Sequence, residues 1–164
     1  MSWLAAVNAR LSRWAMYIAC ACLSGLLIVV VYGVVLRYVF NAAPPYVEQV
    51  ALLLVISVAM FGAAAGVRDA GHIGLDSLVV ALSERLQLWC SLAVHILGVV
   101  FGLALLVGSV EMATSTHGST IPTLGISEAY RYLPVVVGGL LIAAFSIEHL
   151  IATFSGTEVV RSWH

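Results

Sequence analysis

The sequence predicts an all-α integral membrane protein with four transmembrane helices and both termini in the cytoplasm (N-in/C-in). A short amphipathic cytoplasmic helix is expected between the second and third spans. Three observations predict this. Of 164 residues, 62% are hydrophobic and 9% are charged, against about 25% charged in soluble domains. The apolar residues gather into four runs, each near the roughly 20 residues that cross a hydrocarbon core of about 30 Å. The basic residues are all arginines and fall unevenly on the two sides of those runs.

Residues 1–164 are read as a single four-helix membrane domain. It has an interfacial N-terminal segment at 1–13 and spans at 14–36, 47–67, 86–110 and 132–154. The first apolar run continues well past "ACACLSG", beyond the short h-region of a signal peptide, so cleavage is not expected. With the N-terminus inside, Arg10, Arg13, Arg68, Arg85 and Arg161 are cytoplasmic, while Arg37 and Arg131 lie outside. A formal net charge of −1 argues against nucleic acid, which calls for a basic stripe. Cys20, Cys22 and Cys90 lie within apolar runs and read as small hydrophobes, an odd count that forms no disulfide framework.

The connecting segments follow from their patterns. Trp3, Leu4, Val7, Leu11 and Trp14 share a helical stripe, either as a helix on the cytoplasmic interface or as an extension of the first span. In "RDAGHIGLDSLVVALSERLQ", glycines flank His72 and mark a turn. Leu75, Leu78, Val79, Leu82 and Leu86 then line one face of the amphipathic helix, capped by Asp76 or Ser77. The polar stretch 111–132, rich in Ser, Thr and Gly, is expected to be mostly irregular, with turns at Pro122 and Gly125, and to face outward.

Ionisable side chains in so apolar a chain call for partners, because burying one in a membrane costs roughly 2.5–3.5 kcal/mol. Arg37 ends the first span and Glu48 begins the second, with Asn41, Pro44 and Pro45 between them. An antiparallel hairpin places both charges at its outer end as a structural cluster. His95 and Glu148 are expected to form a buried polar pair between the third and fourth spans. The same region offers His95 and His149 as facing imidazoles for a haem. "GAAAG" (Gly62, Gly66) and "GVVFG" (Gly98, Gly102) are G-x-x-x-G faces that permit close helix approach. No span carries a central carboxylate, and the chain lacks a Gly-rich phosphate loop, a Ser-His-Asp set and a dense metal-ligand cluster. It is not expected to be an enzyme.

Several motifs, in this order, carry a resemblance. "RYVFN" (Arg37 to Asn41) ends the first span, "YVEQ" (Tyr46 to Gln49) opens the second, and "RDAGHIGLD" (Arg68 to Asp76) follows it. "PTLGI" (Pro122 to Ile126), Tyr132 to Pro134 and the Ile147-Glu148 pair complete the set. With four spans, the chain resembles the small membrane subunit of tripartite ATP-independent periplasmic (TRAP) transporters, the DctQ-like family. It departs from that pattern at Tyr46 (usually Trp), Gln49 (usually a second Glu) and Ser127 (commonly Pro).

The resemblance implies a non-catalytic scaffold in the bacterial inner membrane, part of a sodium-coupled secondary transporter for an organic anion. Its partners would be a large membrane subunit, which holds substrate and sodium, a periplasmic substrate-binding protein, and the lipid bilayer. No cofactor is expected in this chain. Arg37, Asn41, Tyr46, Glu48, Arg68, His72, Asp76 and Pro134 become expected structural or interface residues, and none is expected to touch substrate. Two rival readings are a haem-b electron carrier using His95 and His149, and a self-sufficient homodimeric small carrier.

Overall fold

The structure, a computed structural model, describes residues 2–69, 83–121, 123 and 125–155. His72, Asp76, Pro122, Arg161 and most of the expected amphipathic helix lie outside the described residues. Four long helices make up the fold: α1 (Ser2–Val39), α2 (Pro45–Asp69), α3 (Glu84–Ser115) and α4 (Leu133–Ser155). A 3-10 turn, Glu128–Tyr132, leads into α4. All four helices are long and apolar enough to cross a membrane. α1 is continuous over 38 residues, about 57 Å at 1.5 Å per residue. The N-terminal segment thus runs into the first span without a break in the helix.

The helix ends have local causes. After Val39, Asn41 takes a left-handed conformation (φ 49°), which asparagine adopts more readily than other side-chain-bearing residues. The Ala42 N–H then turns back to the Leu36 carbonyl at 3.0 Å, and α1 stops. Pro45 opens α2, where a missing N–H costs nothing because that group has no helical acceptor. Pro134 occupies the first turn of α4 for the same reason and is buried there. α3 ends where both the N–H and the hydroxyl of Thr116 bond the Met112 carbonyl.

The loop after α3, expected to be mostly irregular, is pinned by backbone hydrogen bonds. Thr120 and Ser127 form an isolated antiparallel bridge, and Ile121 donates to the Ile126 carbonyl at 2.9 Å. Gly125 closes the turn at φ 67°, as the glycine implies. Ser127 donates to the His117 carbonyl and accepts from the Ala129 N–H, so its hydroxyl also caps the 3-10 turn. Ile121 is buried beneath this loop.

The helices pack in the order α1, α2, α4, α3. α4 is the central element: Gly138, Gly139, Ile142, Ala143, Phe145, Ser146 and His149 are all buried along it. Ala64, Ile142 and Phe145 form the apolar core, with Met60, Val67, Leu105 and Leu141 against it. The outer faces of α1 and α3 expose large apolar side chains such as Leu27, Ile28, Leu97 and Phe101. In water such a surface would aggregate, whereas lipid tails are as apolar as the side chains themselves.

Close approach depends on particular glycines. A Cβ on Gly102 would lie 2.6 Å from the Ala143 nitrogen and 2.8 Å from the Gly139 carbonyl oxygen. One on Gly98 would strike the Ser146 hydroxyl. Gly138 faces the other neighbour, its added Cβ falling 2.8 Å from the Met60 Cβ. The adjacent pair Gly138-Gly139 thus lets α4 press on α2 and α3 at once. Gly62 and Gly66 behave differently: a Cβ on either would have nothing within 4 Å. α2 meets α4 instead through Ala64, fully buried against Ile142 and Phe145.

This contrast predicts unequal effects of substitution. Gly102→Val forces side-chain atoms against backbone that cannot rotate away, and overpacking of this kind costs about 1–3 kcal/mol. Gly66→Ala changes stability by no more than about 0.5 kcal/mol. Denaturant unfolding of the two variants in detergent micelles measures the difference. Equal losses would contradict the packing described.

Candidate functional site: a polar cluster joining the four helices

The chain's most concentrated chemistry lies at the end of the bundle that holds both described chain ends. Arg68, one residue before the end of α2, is buried, its side chain only 2% exposed. In a low-dielectric surround a guanidinium needs acceptors for its donors, and it finds them on three helices. Nε and Nη2 donate to the two Glu148 carboxylate oxygens on α4, each at 3.2 Å, the two-pronged geometry that suits arginine to carboxylates. Nη1 donates to Asp69 at 3.3 Å, and Nη2 also reaches the Ala5 carbonyl of α1 at 3.4 Å.

α1 completes the acid partners' shells. Asn8 Nδ2 donates to Glu148 at 2.8 Å, and the buried Ser12 hydroxyl donates to Asp69 at 2.5 Å. Asn8 and Ser12 stand one helical turn apart on the same face, which is why both reach this cluster. α3 joins through a ring contact. The imidazoles of His95 and His149 are stacked, with centroids 4.9 Å apart and planes 8° from parallel. Each residue is 5% exposed. His149 Nε2–H donates to the Arg68 carbonyl at 3.0 Å, which places the Nε2 proton by geometry.

His95, expected beside Glu148, stacks on His149 in this arrangement. Consecutive residues of a helix diverge by about 100°, so Glu148 and His149 serve different neighbours. Glu148 turns to Arg68 and Asn8, while His149 meets His95. The stack also does not fit axial haem ligation: two axial imidazoles aim nitrogens at an iron from opposite sides, whereas these rings present their faces to one another. His149 Nε2, moreover, is already committed to the Arg68 carbonyl.

At the opposite end, Arg37 and Glu48 are exposed. Among the described residues neither side chain takes part in a hydrogen bond or ion pair, so no internal cluster joins them. The α1–α2 hairpin is tied there by Tyr32 and Tyr46, whose hydroxyls lie 3.4 Å apart. Asn41 serves as the helix stop described above. Arg131 reaches from the 3-10 turn to Gln49 Oε1 at 2.7 Å and to Glu128 at 3.5 Å. Gln49 thus offers an amide oxygen to the Arg131 guanidinium.

Sequence reasoning missed Asn8, Ser12 and Asp69 entirely, along with the Arg68–Glu148 and Arg131–Gln49 contacts. One signal was present. Arg68 and Glu148 lie near the C-terminal ends of two helices that alternate spans bring to the same side of the bundle, and a buried arginine needs an acid.

Removing one partner of a buried pair leaves the other charge uncompensated, at a cost of about 3–5 kcal/mol. Arg68→Met and Glu148→Leu should each destabilise the chain by that order. The double variant should lose much less than the sum of the two. Unfolding of both single variants and the double variant in micelles gives the coupling, and strict additivity would contradict a direct pair.

Comparison with known proteins bears on what such a bundle belongs to. Residues 26–156 match the family described as tripartite ATP-independent periplasmic transporters, DctQ component. Two proteins of Haemophilus influenzae that carry the name TRAP transporter small permease protein are similar to the chain. One is 26% identical over 140 residues, covering 85% of this chain and 87% of the relative. The other is 22% identical over 124 residues, covering 76% and 75%. The family match takes in the α1–α2 hairpin, Arg68, the stacked histidines and the whole of α4, and by it the chain belongs to the DctQ family, the non-enzymatic DctQ components of tripartite ATP-independent periplasmic transporters.

Proposed function

We propose that this chain is the small, non-catalytic permease subunit of a TRAP transporter, a fixed scaffold that braces a large membrane subunit. The large subunit would bind and move an organic anion together with sodium, and a soluble periplasmic protein would deliver the substrate. The observation that carries this reading is the family match over residues 26–156. The chemistry of the described spans agrees with it. Arg68, Asp69 and Glu148 are engaged with one another, which suits a rigid brace better than a group that must bind and release an anion.

Orientation follows from the arginines. With N-in and C-in topology, Arg10, Arg13, Arg68, Arg85 and Arg161 face the cytoplasm of a bacterial inner-membrane protein. The polar cluster then lies at the cytoplasmic end, and the loop between α3 and α4 faces the periplasm. Arg37 and Glu48, exposed and unsatisfied within the described chain, become available to the large subunit or to the periplasmic protein. Apolar α1 and α3 faces are available to lipid or to the same partner.

A mild-detergent pull-down of the tagged chain from its native membranes, read by mass spectrometry, tests this. Recovery of a large multi-spanning subunit at about one to one is expected, and recovery of this chain alone would overturn the scaffold reading. Arg37→Ala and Glu48→Ala are each expected to lower the yield of that complex or the uptake of substrate. Unchanged yield and uptake in both variants would remove these residues from the interface.

A further inference from the structure

We propose that the outward face of the N-terminal part of α1 binds the headgroup of an anionic phospholipid, with Arg10 and Arg13 holding its phosphate and Trp14 and Tyr17 lying beside its glycerol. Both arginines are exposed, and among the described residues neither side chain takes part in a hydrogen bond or ion pair. α1 offers them no acid, because the first acidic residue of the sequence is Glu48. At this end of the bundle Asp69 and Glu148 are already engaged by Arg68, Ser12 and Asn8. Residues three apart on a helix are surface neighbours, so the two guanidiniums form one cationic site. Their planar donor forks match phosphate oxygens.

The opposite face of the same turns is committed to the bundle. Ser12, Ala15 and Ala19 are buried, and Asn8 and Ser12 donate to Glu148 and Asp69. At about 100° per residue, Arg10, Arg13, Trp14 and Tyr17 fall in one sector on the far side of the helix from those residues. Trp14 and Tyr17 are 66% and 58% exposed. Their rings meet edge to face, with centroids 6.4 Å apart.

Depth is fixed by a separate observation. The charge-free stretch of α1 from Trp14 to Leu36 is about 33 Å long at 1.5 Å per residue, close to a hydrocarbon core of about 30 Å. Arg13 and Arg10 therefore come at the level of the lipid phosphates, and Trp14 and Tyr17 just inside it, where such rings are favoured. Charge selects the lipid. A zwitterionic headgroup offsets its phosphate with its own cation, whereas an anionic one presents a net negative charge to the arginines. Each arginine near such a charge contributes about fivefold in affinity. The lipid and the polar cluster grip the same turns of α1 from two sides, so a bound headgroup also stabilises the Asn8 and Ser12 contacts. None of this depends on the scaffold role or the orientation proposed above.

The purified full chain in neutral-detergent micelles, titrated with dioleoyl phosphatidylglycerol or dioleoyl phosphatidylcholine and read by native mass spectrometry, tests the site. The wild type is expected to bind the phosphatidylglycerol roughly twentyfold more tightly. Arg10→Gln and Arg13→Gln should each reduce that preference roughly fivefold, and the double variant should bring the two lipids close to parity. The single variants carry the test should the double variant not fold. Arg85→Gln removes an exposed arginine of α3 and should leave the preference as it is. Equal binding of the two lipids by the wild type would overturn the proposal and leave this face to an acidic protein partner. A preference that survives in the Arg10 and Arg13 variants, or that falls as far in Arg85→Gln, would overturn it as well.

Discussion

The placement of one guanidinium constrains the rest of this chain. Arg68 sits where water is scarce, and a charge there needs a full set of acceptors or it destabilises the fold. Those acceptors come from Glu148 on α4, Asp69 on α2 and the Ala5 carbonyl of α1. Satisfying them pins three helices in register at one end of the bundle. Apolar packing cannot do this alone in a membrane, since helices sliding past one another trade one apolar surface for an equivalent one. A directional, two-pronged contact has one best position. The stacked histidines extend the same junction to α3.

A second mode of association complements the first. Away from the polar end, α4 is clasped from two sides: Gly139 meets the α3 backbone at Gly102 directly, and Gly138 receives the Met60 side chain of α2. Such contacts gain dispersion energy and do not require solvent to drive them. α4 is consequently the most buried of the four helices, while α1 and α3, at the edges of the row, keep broad apolar faces exposed. The chain resembles a braced panel more than a closed bundle with an internal site. That shape suits a subunit whose family works alongside other transporter components.

The two ends of the panel differ in kind. At one end the charges are consumed internally, and the cluster is nearly closed to solvent. At the other, Arg131 and Gln49 fasten the loop to α2, and Arg37 and Glu48 stand in the open. Internally paired charges and exposed charges are thereby separated along the helix axis. In the Gln49 contact an amide oxygen accepts from arginine as a carboxylate would, with less electrostatic gain.

What the sequence determined by itself was the part governed by local and solvent physics. Hydropathy placed four spans, because each span has to satisfy its own backbone hydrogen bonds in lipid whatever its neighbours do. Asn41 and the prolines at 44 and 45 marked the hairpin, and Gly125 marked a turn, because backbone conformation is a property of a few adjacent residues. The motifs from Arg37 to Glu148 pointed to the DctQ family before any geometry was known. Tertiary structure alone decided the partners. Arg68 with Glu148, His95 on His149, and the use of Gly98 and Gly102 but not Gly62 and Gly66 all depend on how each helix is rotated about its axis. Neighbouring positions point about 100° apart, so a polar residue can be seen in the sequence while its partner cannot. That choice is made only when all four helices meet.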